Sequence, residues 1–151
     1  MSYFYAAGLM TAAFGSATAV LGASDIFVTK IRHDLFSSSV VWTRSVGSIY
    51  DETLPITISA GPTTVGIAFT ALKTDGTRIP MLSQLGSAVG GALSDSTFVT
   101  GTSTAGMVHY NYDNQFYTAE IDSPVFSQYV TPVCGNNIAE FPEQWYSSSF
   151  S

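Results

Sequence analysis

Charged residues are scarce in this sequence. Asp, Glu, Lys and Arg make up 11% of its 151 residues, against about 25% in an ordinary soluble domain, and Ser, Thr, Gly and Ala fill the difference. A surface with so few charges suits a free monomer poorly, because charge maintains solubility. The composition therefore predicts a chain whose surface is mostly covered by neighbouring molecules.

Cations are absent from the latter part of the chain. All five Lys and Arg residues and five of the eleven acids precede residue 79, so that part is neutral and the whole net charge of −6 lies after it. Nucleic-acid backbones are bound by clustered cations, so we expect no nucleic-acid partner. In an assembly the acidic parts must lie apart or face outward, because like charges repel.

The sequence also lacks the motifs of several functional classes. Cys134 is the single cysteine, which excludes an internal disulfide, and no Asn-x-Ser/Thr acceptor for glycosylation is present. A phosphate-binding loop is not predicted, because no Lys followed by Ser or Thr comes after the glycines at Gly86 and Gly90. These gaps give no sign of an oxidising compartment or of nucleotide chemistry.

Candidate catalytic or metal-binding side chains are few. The neighbouring pairs are His33–Asp34, His109 with Asp113, and the adjacent acids Asp51–Glu52. The histidine pairs fall short of the usual ligand count of a metal site, and adjacent acids in a loop are usually solvated. We therefore expect no catalytic, cofactor-binding or metal-binding residues, and we do not expect an enzyme.

An uncharged stretch opens the chain, from Tyr3 to Ala23. Small residues recur in it at alternating steps of four and three, at Gly8, Ala12, Gly15, Ala19 and Gly22. On a helix this spacing gives one continuous stripe along which another backbone can approach closely. We predict an apolar N-terminal helix or arm that packs against other protein.

Three other interpretations of this stretch stay open. It has the length of a transmembrane helix, but its many Ala, Gly, Thr and Ser residues give it little lipid affinity, and no cation follows it before Lys30. A secretory signal peptide would need a basic segment, which Met1–Ser2 does not supply. Three internal glycines, at about 1 kcal/mol each, could instead divide it into a short helix and an extended arm.

The middle of the chain has the two-residue alternation of β-strands. On one predicted strand the large residues Val65, Ile67 and Phe69 share a face, and the small residues Gly66, Ala68 and Thr70 share the other. The turn at Thr74–Gly76 is expected to hold three residues with Gly76 in the left-handed region. A two-residue turn would instead place Lys73 opposite Arg78, and like charges that face each other destabilise a hairpin.

A second hairpin is predicted over residues 107–121. Asp113 and Asn114, which both tolerate a positive φ, mark its turn. In that register Tyr110 faces Tyr117 on an apolar, aromatic face, and a slip of one residue would exchange the two faces.

Aromatic residues are concentrated in the tail, among Pro, Asn and Ser. They include Phe126, Tyr129, Phe141, Trp145, Tyr146 and Phe150. An arm with so many rings usually lies on a sheet, either its own or a neighbour's. We predict an extended aromatic arm that takes part in assembly.

These patterns together predict a mainly β protein, an antiparallel β-sandwich or barrel between two arms. Residues 1–24 are the apolar N-terminal arm or helix, 25–123 the β-rich domain, and 124–151 the extended C-terminal arm. The predicted assembly interface consists of Gly8, Ala12, Gly15, Ala19, Gly22, Phe141, Trp145 and Tyr146.

The function expected from this organisation is structural. The chain would be a subunit of a large assembly of its own copies and other structural proteins, and within that class we favour a virion protein, such as a capsid-associated or tail component of a phage. One alternative is a pilin-like surface filament with the N-terminal helix in its core. Another is an extracellular carbohydrate-binding module that stacks exposed Tyr and Trp, such as Tyr110 and Trp145, on a glycan. No cofactor and no membrane partner are expected.

Overall fold

A computed structural model describes residues 1–15, 17, 22–97, 104–111, 115–121, 125–130 and 146–149 of the chain. These residues form eleven β-strands and contain no helix. The strands are β1 (Ser2–Met10), β2 (Asp25–Asp34), β3 (Ser37–Val46), β4 (Asp51–Ala60), β5 (Thr64–Leu72), β6 (Arg78–Gly86), β7 (Ala92–Thr97), β8 (Ala105–Asn111), β9 (Gln115–Glu120), β10 (Val125–Val130) and β11 (Tyr146–Ser149). The prediction of a mainly β protein is confirmed.

The strands form three antiparallel sheets. The first sheet has the order β1-β2-β3, the central sheet β4-β5-β6-β7, and the third sheet β11-β10-β9-β8. Within each sheet every neighbour in space is also a neighbour in sequence, so all three are simple meanders. The described parts of the tail, β10 and β11, belong to the third sheet and pair with each other.

The prediction of an N-terminal helix is wrong, because β1 is a strand. It pairs with β2 over its whole length, from Ser2 opposite His33 to Met10 opposite Asp25. The aromatic residues at its start favour a pleated, half-buried strand, whereas a glycine inside a helix is destabilising. Tyr5 and Ala7 pack towards the core, so the strand is an integral part of the first sheet.

The small residues of the predicted stripe serve separate purposes. Gly8 lies beside the ring of Phe27, where a Cβ atom would approach Cε1 to 2.8 Å. Gly15 and Gly22 have φ angles of 59° and 83°, which side chains other than glycine rarely adopt. The alternating spacing of four and three residues therefore does not mark a helical stripe. Gly8 allows a close contact with a ring, and Gly15 and Gly22 allow two turns.

The segment after β1 folds back over the outer face of the first sheet. Phe14 exchanges two backbone hydrogen bonds of 2.9 Å with Ala17, and its ring lies 4.4 Å from that of Phe27. Beneath the same segment the hydroxyl groups of Thr29 and Thr43 hydrogen-bond to each other at 2.9 Å and are buried. One end of this outer face is therefore covered by the chain itself.

A first apolar cluster lies between the first sheet and the central sheet. The first sheet contributes Ile26, Val28, Trp42 and Val46, and the central sheet contributes Val65, Ile67, Phe69 and Leu85. All of these side chains are buried. The predicted large face of β5 therefore points at the first sheet.

A second apolar cluster lies between the central sheet and the third sheet. It contains Ala68 and Leu82 from the central sheet and Ala105, Val108 and Phe116 from the third. The backbone N–H of Ala105 also donates to Thr70 Oγ1 at 2.8 Å. The small face of β5 thus meets the third sheet, and β5 is covered on both faces.

Local turn chemistry decides two hairpins in different ways. Gly76 has a φ of 85° and the β5–β6 turn has three residues, which confirms the predicted bulged form. In the β8–β9 hairpin the predicted register is wrong by one residue, since Tyr110 pairs with Phe116 and not with Tyr117. Phe116 is consequently fully buried in the second cluster.

Candidate functional site

Among the described residues, the most exposed large apolar side chains lie at the turn between β2 and β3. Leu35 is 91% exposed and Phe36 is 98% exposed. We call these two residues the hairpin tip. The two strands that carry the hairpin tip are paired down to Asp34 and Ser37, and a hydrogen bond of 2.9 Å between His33 and Ser38 also joins them. Arg32 and Asp34, two residues apart on β2, form an ion pair of 3.3 Å. The hairpin tip therefore projects from an ordered support.

The residues of the hairpin tip are unusual for their position. Asp34 pairs with Ser37, so the turn contains two residues, and two-residue hairpin turns prefer Asn, Asp and Gly. Leu and Phe offer no conformational advantage there, and water surrounds them. Departures from a local rule are expected where function imposes them. The hairpin tip is thus a candidate contact site.

An exposed apolar strip crosses the outer face of the first sheet near the hairpin tip. Phe4 pairs with Ile31, and Ile31 pairs with Val40, so one side chain from each of the three strands lies side by side. Phe4 is 46% exposed and Val40 is 64% exposed. We call these three residues the apolar strip. The segment around Phe14 covers the opposite end of the same face, over Phe27.

A buried carboxyl pair joins β2 to β4. Asp25 and Glu52 are each 2% exposed, and their carboxyl groups lie together beside Gly47. Glu52 Oε1 also accepts from the backbone N–H and the hydroxyl group of Ser48, at 2.7 Å and 2.8 Å. A Cβ atom on Gly47 would lie within 3.1 Å of Glu52 Oε2. The carboxyl pair therefore requires a glycine beside it.

The carboxyl pair can hold a proton. Burial raises the pKa of Glu52 from its ordinary value of 4.5 to about 7, and the neighbouring Asp25 raises the pKa further, while hydrogen bonds from Ser48 act against this. Two carboxyl groups can hydrogen-bond to each other only when one of them is protonated. The expectation of a solvated Glu52 is wrong. Both side chains are shielded from solvent, so the pair is suited to a structural role.

Three cations are used within the chain itself. Lys30 Nζ donates to the carbonyl oxygen of Ser87 at 2.6 Å, and Arg44 Nη2 donates to that of Val89 at 2.9 Å. Arg32 makes the ion pair of the β2–β3 hairpin. Lys30 and Arg44 thereby fix the loop between β6 and β7 to the first sheet. This engagement leaves these charges little freedom to contact a polyanion.

The described glycines of the predicted interface do not form one continuous stripe. Gly8, Gly15 and Gly22 lie at separate places around the first sheet, as described above. Ala12 is exposed, and Tyr146 begins β11. Ala19, Phe141 and Trp145 lie outside the described residues. Their part in an interface stays a prediction.

Sequence reasoning missed the hairpin tip, the apolar strip and the carboxyl pair. A signal for the first was present, since Leu35 and Phe36 stand between Asp34 and a run of serines, residue types that are common in turns. The other two depend on pairing between separate strands, which the sequence does not display.

Comparisons of the chain with protein-family models, with curated proteins and with solved structures give no match. Among the described residues there is no cluster of three His, Cys, Asp or Glu side chains suited to a metal ion. That part of the chain also holds no helix of the length and apolarity needed to cross a membrane. Exposed apolar side chains are therefore the feature of the described residues that points to a function.

Proposed function

We propose that this protein is a structural subunit of a large assembly, most simply a virion component, in which the three sheets act as the layers of a β-sandwich. The observation that carries this proposal is the exposure of Leu35 and Phe36 at a well-supported turn. Contiguous exposed apolar surface on a soluble chain marks a contact site. The low content of charged residues supports the same conclusion.

The energy available at the hairpin tip is sufficient for a specific contact. Complete burial of a Leu or Phe side chain stabilises by about 1.5–3 kcal/mol each. Residues of the apolar strip add to this if the same neighbour covers them. Contacts of this size are individually modest, but they accumulate when each subunit makes them several times.

The test is the mass of the purified chain in solution, measured by multi-angle light scattering. We expect particles several times heavier than the 16.0 kDa chain. A double substitution, Leu35→Ser with Phe36→Ser, should lower that mass or weaken association at least tenfold. Its circular dichroism spectrum should not change, because both side chains are exposed.

Ile49→Ser is the matched control, since Ile49 is also a highly exposed aliphatic residue but lies in the loop between β3 and β4. It should assemble like the unaltered chain. If the unaltered chain stays monomeric at every concentration, both alone and with its native neighbours, the proposal is wrong.

The two alternative functions have less support. The filament alternative depends on an N-terminal helix, and the structure has β1 in that place. For glycan binding, Tyr110 is a poor candidate because its ring packs against Phe116 with the centroids 5.2 Å apart and also abuts Gly61. Trp145 lies outside the described residues.

A further inference from the structure

The outer edge of β3 is unusually open. In the described part of the chain β2 is its hydrogen-bonded neighbour, and β3 ends the sheet order. Residues Ser37 to Val41 are all exposed. Natural proteins usually protect such an edge with Lys, Pro or a covering loop, because unpaired backbone groups can bind another strand. The segment Ser37–Trp42 has no charged residue and no proline.

The apolar strip reaches this open edge. The register between β2 and β3 shifts after the Lys30–Trp42 pair to Ile31–Val40, so Val41 is an extra residue in β3. This bulge interrupts the ladder, and it therefore limits regular pairing along the edge to Ser37–Val40. Val40 and Val41 are both exposed as a result. Apolar side chains and unpaired backbone groups therefore occur along the same edge.

Charge does not oppose the approach of two such edges. The neutral part of the sequence includes the whole first sheet, and the net negative charge lies after residue 78. Asp95 and Glu120, for example, belong to β7 and β9. Two copies that meet along Ser37–Val41 bring uncharged edge segments together and keep those acids on other sheets.

The opposite edge of the first sheet is a poorer candidate. β1 forms that edge, but β1 also lies close to β4 of the central sheet. An incoming strand would have to fit between them. Among the described residues no strand lies beside Ser37–Val41 of β3, and the loop between β6 and β7 first contacts this strand at Trp42. Beyond it the guanidinium group of Arg44 donates to the carbonyl oxygen of Thr43 at 2.9 Å.

We propose that β3 pairs antiparallel with β3 of a second copy of this chain around a two-fold axis. The pairing makes one continuous six-stranded sheet from two first sheets and joins the two apolar strips. It is a self-complementary contact of the kind that two-fold dimers use. The inference rests on the proposed function, for which it names the partner of one surface.

A lysine on the edge tests the pairing. In Val40→Lys a charge enters the paired edge of each copy, and this should weaken the dimer at least tenfold in sedimentation velocity. Ile49→Lys makes the same change of charge and of exposed apolar area away from the edge, and it should dimerise like the unaltered chain.

A cysteine scan tests the geometry without relying on affinity. In a Cys134→Ser background, single cysteines at Ser38, Ser39, Val40 and Val41 are oxidised under mild conditions. A disulfide needs Cα atoms about 4.4–6.8 Å apart, so only the positions next to the axis should cross-link two chains. Cysteine at Ile49 should give no cross-link. We expect the yield of cross-linked dimer to have a sharp maximum at one position along β3 and to fall rapidly on either side.

The outcomes separate this inference from the proposed function. If Val40→Lys assembles normally and no cysteine on β3 cross-links, while the hairpin-tip variant loses its particles, the edge pairing is wrong and the structural role stands. If the unaltered chain never associates, both are wrong. Loss of the dimer in Val40→Lys together with cross-linking on β3 supports the pairing.

Discussion

Glu52 shows how a single buried side chain can make the fold depend on pH. Its carboxyl group lies beside that of Asp25, and its backbone N–H donates to the carbonyl oxygen of Ser24 at 3.2 Å. The hydroxyl group of Ser24 in turn donates to the carbonyl oxygen of Glu52 at 2.8 Å. These contacts join β4 to the start of β2, so the proton on the carboxyl pair stabilises the joint between two sheets.

We expect stability to fall as the pH rises through this site. The folded pKa of Glu52, about 7, lies above the ordinary value of 4.5. The protonated carboxyl group of Glu52 therefore contributes its full stabilisation of the folded state below pH 4.5. This stabilisation is lost as the pH rises through 7. The loss is roughly 3 kcal/mol in the free energy of unfolding. Urea unfolding of the unaltered chain and of Glu52→Gln between pH 4.5 and 8 measures it.

Glu52→Gln should remove this pH dependence, because its amide can donate to Asp25 at any pH. Above pH 7 the variant should be the more stable protein. Asp75→Asn is the control, since a hydrogen bond from the Thr77 amide lowers the pKa of that exposed acid. In Asp75→Asn the free energy of unfolding should change with pH as it does in the unaltered chain. Equal slopes for Glu52→Gln and the unaltered chain would contradict the shared proton.

Gly66 limits how closely two sheets pack. A Cβ atom at this position would lie 2.6 Å from Cε1 of the buried Phe116 ring. We expect Gly66→Ala to lower the free energy of unfolding by about 1–3 kcal/mol, because the ring has no free space to move into. Gly91→Ala is the control, since its nearest neighbour would be 4.0 Å away. Thermal unfolding of both variants checks this, and equal midpoints would contradict it.

At the scale of the element, β1 is part of the first sheet, so removal of the N-terminus should destabilise the fold. Deleting residues 1–10 uncovers the side of the first cluster where Tyr5 and Ala7 pack, and it also exposes the edge of β2. We expect a loss on the order of 3 kcal/mol or more, with aggregation on heating. Thermal unfolding followed by circular dichroism measures the change. An unaltered midpoint would show that β1 is dispensable to the fold.

Some elements were predictable because short-range signals decide them. The alternation of large and small residues on β5 and the left-handed Gly76 are fixed by neighbours in sequence. The small residues of β1 are not decisive, since their spacing suits a helical stripe and also suits a strand with one close ring contact. In the β8–β9 hairpin the register depends on Phe116 fitting against Gly66, which is a contact between sheets.

The same limit applies to the candidate contact sites. The apolar strip arises because Phe4, Ile31 and Val40 come from three strands, and no segment of the sequence contains it. The hairpin tip, in contrast, is continuous in sequence. It was missed because turn residues are usually judged by conformation, and apolar residues in a turn carry no conformational signal.

At the scale of the whole molecule, β5 contributes to both apolar clusters, and the two clusters differ in how well they tolerate a change of side-chain volume. Towards the first sheet it presents Val65, Ile67 and Phe69, so that compartment is deep, and neighbouring side chains can adjust to a change in volume. Towards the third sheet it presents Gly66, Ala68 and Thr70, so backbones lie close and an added methyl group has nowhere to go. Substitutions should therefore accumulate more readily between β5 and the first sheet than between β5 and the third sheet.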